Sequence, residues 1–161
     1  MGSTEIVEAS STEDFVAGRI LIEEYAAALG VDLCFQNFSE EIANLATIYE
    51  PPCGCLLLAR TDRALAGCVA VRGQAETTCE MKRLYVKPEY RGTGLGRFLA
   101  ESAIERAQRL GYSRMVLDTL PTMTEAQSLY ASLGFREVVA YYRNPVGGVR
   151  YLALELGTQC A

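Results

Sequence analysis

Arg91-Gly92-Thr93-Gly94-Leu95-Gly96 sits where a strand-like run, Cys79 to Val86, gives way to a helical one that starts near Gly94 and reaches Leu110. Leu95, Phe98, Leu99, Ala103, Ala107 and Leu110 recur at helical spacing, and Gly111 follows as a stop signal. The first N–H groups of a helix lack intrahelical partners, and the helix dipole adds partial positive charge there, so such an end attracts anions. Glycine lets a phosphate approach the backbone with no side chain in the way. The segment therefore predicts a phosphate cradle feeding a helix, the plainer alternative being a glycine turn that only caps it. A dinucleotide fingerprint fails, because its third glycine falls on Arg97 or Leu99, and no P-loop run exists. The chain has no histidine, which removes Ser-His-Asp and Cys-His catalysis and histidine-ligated metals. A base must then be a carboxylate, an amine, a tyrosine or water.

The cradle also fits the pattern V-x-x-x-x-[RQ]-x-x-G-x-[GA], through Val86, Arg91, Gly94 and Gly96. A helix and a strand later comes Ala126-x-x-Leu129-Tyr130-x-x-x-Gly134-Phe135. Together these two signatures resemble the GNAT superfamily of acyl-CoA-dependent N-acyltransferases, strongly over Glu80 to Phe135 and in element order over most of the chain. The resemblance implies acetyl-CoA as cosubstrate, no metal, and direct acetyl transfer to an amine, a small-molecule acceptor being expected first. A protein lysine or N-terminus is the alternative acceptor, and a non-catalytic acyl-CoA sensor the alternative class. It implies that Arg91, Gly92, Thr93, Gly94, Leu95 and Gly96 wrap the pyrophosphate. It implies that Leu84, Tyr85 and Val86 hold the pantetheine arm through their backbone, with the Leu84 N–H as oxyanion donor, where the fourth strand splays from the fifth. One departure is Met123, where many members carry asparagine.

Direct transfer needs an ammonium of pKa near ~10.4 to lose a proton and a leaving thiolate of pKa near ~8.5 to gain one. Glu80, eleven residues before Arg91, matches the family's base by offset; alternatively it pairs with Lys82 on the same strand face. Burial would raise its pKa and suit it to the base role. Tyr130 matches the family's acid; alternatively it packs beside Leu129 and Leu133. For the acceptor, Tyr25, Phe35, Phe38, Tyr141, Tyr142, Arg143 and Asn144 are available, and Arg143, Arg72 or Lys82 could read a carboxylate. The acidic surface instead suits a cationic acceptor.

The elements that must position these groups follow from pattern. Glu5–Ala9 reads as a strand, Glu13–Leu29 as a helix ended by Gly30, and Phe38–Ile48 as a second helix stopped by Pro51-Pro52. Strands follow at Cys55–Ala59 and Leu65–Arg72, joined by a Thr61-Asp62-Arg63 turn, then at Cys79–Val86. After the cradle helix come a strand Ser113–Leu120, a Thr122/Glu125 capping box, a short helix to Leu133, and strands at Val138–Tyr142 and Arg150–Leu156. The order predicts an α/β (α+β) fold of the GNAT type. Its central sheet is mixed but mostly antiparallel, flanked by helices, with a splay between the fourth and fifth strands.

The 161 residues suit one domain, 1–161, with half of them hydrophobic and a net charge of −5. An acidic chain without a basic stripe argues against nucleic acid. With no long apolar run and no basic, apolar leader in MGSTEIVEAS, neither a membrane span nor a signal peptide is expected. The expected setting is the cytoplasm, with a homodimer left open. Six cysteines, with only Cys53 and Cys55 close, read as small buried hydrophobes; a redox or metal role for that pair is the alternative.

Overall fold

The computed structural model describes residues 2–30, 32–33 and 37–157. A seven-stranded sheet forms its centre, in the order β1-β2-β3-β4-β5-β7-β6. The strands are β1 (Thr4–Glu8), β2 (Gly54–Thr61), β3 (Ala64–Gly73), β4 (Thr78–Val86), β5 (Arg114–Thr119), β6 (Arg136–Val138) and β7 (Arg150–Glu155). All neighbours are antiparallel except β4 and β5. That one parallel pair needs a crossover, which α4 (Leu95–Arg109) supplies. Helices α1 (Thr12–Leu29), α2 (Phe38–Ala43) and α3 (Leu45–Ile48) cover one face, and α4 with α5 (Thr124–Ser132) the other. Among the described residues, no helix is long and apolar enough to cross a membrane.

Strand β2 shows why its sequence is a continuous apolar run rather than an alternating one. Leu56 and Leu58 pack under Leu21 and Ile22 of α1, while Cys55, Leu57 and Ala59 face α4, where Leu99, Ala103 and Ala107 are fully buried. Between β2 and β3, Asp62 and Arg63 adopt left-handed φ of 50° and 71°, which gives the predicted tight hairpin turn.

Four local expectations are corrected. The Thr122/Glu125 capping box does not form: Met123 is the N-cap of α5, with no side-chain cap, so Glu125 lies one position too early. A reciprocal box does form at Ser11 and Asp14, opening α1. The predicted helix Phe38–Ile48 breaks at Asn44, whose amide donates to the Glu40 carbonyl at 2.9 Å and competes with the helix backbone. The predicted strand Val138–Tyr142 ends at Val138, because Tyr141 and Tyr142 turn away to bond carboxylates on β4 and β5. Cys55, Cys68 and Cys79 are buried free thiols, as expected, but Cys53 is exposed; Cys34 and Cys160 lie outside the described residues.

Candidate active site

The parallel pairing of β4 and β5 runs from Thr78↔Arg114 to Glu80↔Val116 and stops. Beyond it β5 stays paired to β7 and β4 to β3, so the two strands diverge. This is the predicted splay, and Glu80 stands at its crotch.

A cavity of about 620 Å³ fills the gap above. Leu84, Tyr85 and Val86 form one wall, and Arg91, Gly92, Gly94, Leu95 and Gly96 line its end. Gly92 and Gly94 adopt φ of 79° and 86°, a region that penalises side chains, and a Cβ at either would meet nothing within 4 Å. Open space thus lies before a helix N-terminus, the geometry an anion needs. Arg91 closes the start of the loop: Nε donates to the Val86 carbonyl at 2.9 Å and the guanidinium lies 5.8 Å from the Tyr85 ring centre. Thr93 is off the cavity wall, its hydroxyl donating to the Tyr90 carbonyl at 2.7 Å.

A second cavity of about 40 Å³ lies deeper in the wedge, between Lys82, Arg83 and Leu84 of β4 and Asp118 and Thr119 of β5. Tyr25, Leu29, Leu84 and Met123 line both cavities, so the two meet at Leu84. Tyr130 lines the deeper one. It is buried, its ring sits edge-on to Phe135 at 5.6 Å, and among the described residues its hydroxyl has no hydrogen-bond partner. Burial pushes the phenol's pKa up, so it holds its proton across the neutral range.

Glu80 is not paired with Lys82. Its Oε2 accepts a hydrogen bond of 2.5 Å from the Tyr141 hydroxyl. Burial raises its pKa, against the pull of Lys82 and of that hydrogen bond, and Asp118 adds a second negative charge nearby. Tyr142 and Asn144 both donate to Asp118 Oδ2. Of the other predicted acceptor groups, Tyr25 reaches the cavities and Phe38 lies under Arg83 at 5.4 Å, whereas Arg72 and Arg143 are absent from both cavity walls; Phe35 lies outside the described residues.

Sequence reasoning missed a buried ion cluster. Arg83 has φ of 60°, and the register slips from Cys68↔Tyr85 to Ala70↔Lys82, so β4 carries a bulge. The bulge turns Lys82 and Arg83 to the same face. Arg83 binds Glu41 with both Nε and Nη2, at 3.0 and 2.8 Å, and the Tyr49 hydroxyl donates to Glu41 at 2.9 Å. Burial would raise the pKa of Glu41, but Arg83 overcomes it and holds the carboxyl below its ordinary range. A signal was present: apolar residues fall at 79, 81, 84 and 86, a period of two that slips by one at Lys82-Arg83.

A model of the acetyltransferase (GNAT) family matches residues 20–135. The chain belongs to the GNAT acetyltransferase family. It is 47% identical over 140 residues to an uncharacterised N-acetyltransferase of Schizosaccharomyces pombe, covering 86% of each chain. It is 34% identical over 105 residues to N-acetylaspartate synthetase of Xenopus tropicalis, which takes in 65% of this chain and 39% of that protein. The yncA structure from Salmonella typhimurium, solved with its cofactor acetyl-CoA, superposes with a TM-score of 0.67 at 21% identity, over 98% of this chain and 96% of that one. This GNAT protein is therefore an N-acetyltransferase, and its fold is one that takes acetyl-CoA as cosubstrate.

Proposed function

We propose that the protein acetylates the primary amine of a small molecule by direct transfer from acetyl-CoA. The observation that carries this is the meeting, at Leu84, of a large cavity ending in a glycine cradle and a small one lined by Tyr130. The cradle fits a pyrophosphate, with Gly92 and Gly94 leaving the approach clear, and the unpaired edge of β4 fits an extended amide-bearing arm. When bound, the cosubstrate supplies an activated acetyl thioester.

The chain's own groups then divide the work. Glu80, with its raised pKa, takes a proton from the acceptor ammonium, directly or through water. The freed nitrogen attacks the thioester carbon, and the Leu84 N–H, on the diverging strand, stabilises the oxyanion. As the C–S bond breaks, Tyr130 gives its proton to the sulfur, and the second proton of the attacking nitrogen passes through water to restore the phenol. A small acceptor is favoured by the tightness of the inner cavity and by a relative named for synthesis of a small acetylated molecule.

The test is mass-spectrometric detection of acetylated products from pooled small amines, with thiol release measured in parallel. Acetylation of small amines is expected. Acetylation of protein lysines or N-termini alone would overturn the small-molecule assignment.

A further inference from the structure

The inner cavity has two walls of opposite charge. On β4 the bulge presents Lys82 and Arg83 together, and on β5, across the splay, stand Asp118 and Thr119. Arg83 is satisfied by Glu41 through two of its nitrogens. Lys82 is not satisfied. Its side chain is only 10% exposed, its Nζ lies 3.9 Å from a Glu41 oxygen already engaged by Arg83, and it makes no hydrogen bond among the described residues. Thr119 Oγ1 is likewise buried without a partner, and both contacts to Asp118 go to Oδ2, so Oδ1 has no donor among the described residues. A buried ammonium with three unused donors is costly unless a ligand completes it.

We propose that Lys82 reads a carboxylate on the acceptor, so that the substrate class is amines that also bear a carboxylate, an amino acid being the smallest. This rests on the acetyltransferase function proposed above. The carboxylate end lies against Lys82 and the remaining N–H groups of Arg83. The amine end then points to the Asp118 wall, below the Leu84 N–H. A plain alkylamine leaves the Lys82 N–H donors unused, and a polyamine brings a second ammonium against Lys82. Burial and the adjacent Arg83 depress the Lys82 pKa, a shift that a bound carboxylate reverses.

The experiment measures kcat/KM for the twenty L-amino acids and β-alanine, each beside its amide, and for butylamine and spermidine. The preferred acid should exceed its amide by about 10- to 100-fold, the worth of one charge-assisted contact. In Lys82→Met that ratio should collapse to within a few-fold, while Lys82→Arg should restore part of it. Thermal stabilisation by the preferred N-acetyl amino acid with CoA present, against its amide, reads the same preference without turnover and should also be lost in Lys82→Met. Amides or simple amines used as well as acids, or a ratio unchanged in Lys82→Met, overturns the carboxylate subsite and leaves the acetyltransferase function standing. Failure to acetylate any amine in the panel, with no stabilisation by acetyl-CoA, overturns both.

Discussion

Tyr130 and Glu80 show how environment suits single residues to the roles proposed for them. Burial keeps the Tyr130 hydroxyl protonated, so Tyr130→Phe retains the ring packing against Phe135 and deletes only the hydroxyl. Its kcat should fall by about 100-fold or more, acetyl-CoA affinity should stay within a few-fold, and a thioester with a better leaving group should recover part of the rate. Glu80→Gln should lower kcat/KM by roughly 10²- to 10⁴-fold and flatten its acidic limb. The stability sign runs the other way. A carboxyl whose folded pKa is raised favours folding below its unfolded pKa, and that contribution is lost as pH rises through the folded value. Glu80→Gln should therefore melt no lower than wild type at pH 8; a clear drop in melting temperature would mean that the ionised carboxylate is structural. Tyr141 tunes the same group, since its hydrogen bond favours the ionised form. Tyr141→Phe should move the acidic limb of kcat/KM to higher pH, and an unmoved profile would detach Tyr141 from Glu80 chemistry.

The decisive features at the scale of elements are a loop, a bulge and a splay. Gly94→Val places a β-branched side chain at a φ of 86° and into the space before the cradle. Gly111 has a φ of 96° and equally open surroundings at the far end of α4, so Gly111→Val carries similar strain without touching the cradle. Both variants should lose stability, but only Gly94→Val should lose stabilisation by acetyl-CoA in a thermal melt. At the β4 bulge the Glu41–Arg83 pair ties α2 to the strand. Glu41→Gln leaves a buried guanidinium short of its counter-charge and should cost about 3–5 kcal/mol in urea unfolding. The Glu41 carboxyl has its pKa lowered in the folded state, so the stability it adds is present above the unfolded value near ~4.3 and is lost as pH falls through the folded one. Wild type should thus lose its advantage over Glu41→Gln at low pH.

The whole molecule couples cosubstrate binding to folding, because the cradle, β4 and α5 line one cavity only when the sheet is formed. Acetyl-CoA at about one hundred times its Kd should add roughly 2.7 kcal/mol, or about 5–10 °C in Tm for a chain of this size. Stabilisation by NADH or ATP and not by acetyl-CoA would reject the cosubstrate. What the sequence alone determined was what local periodicity and local geometry encode. The cradle's glycines, the extents of α1 and α4, the apolar runs of β2 and β3 and the cradle's place between β4 and α4 are set by residues close in the chain. The family resemblance added the splay and named Glu80 and Tyr130 as candidates. Only the tertiary structure decided which groups separated in sequence share an environment. It paired Glu80 with Tyr141 rather than Lys82, brought Glu41 to Arg83 across 42 residues, and ended β6 early so that two tyrosines could reach carboxylates on other strands. The reason is physical: a buried charge takes whichever partner the packed fold brings within hydrogen-bond reach, and that choice depends on strand order and bulge position, which no local window contains.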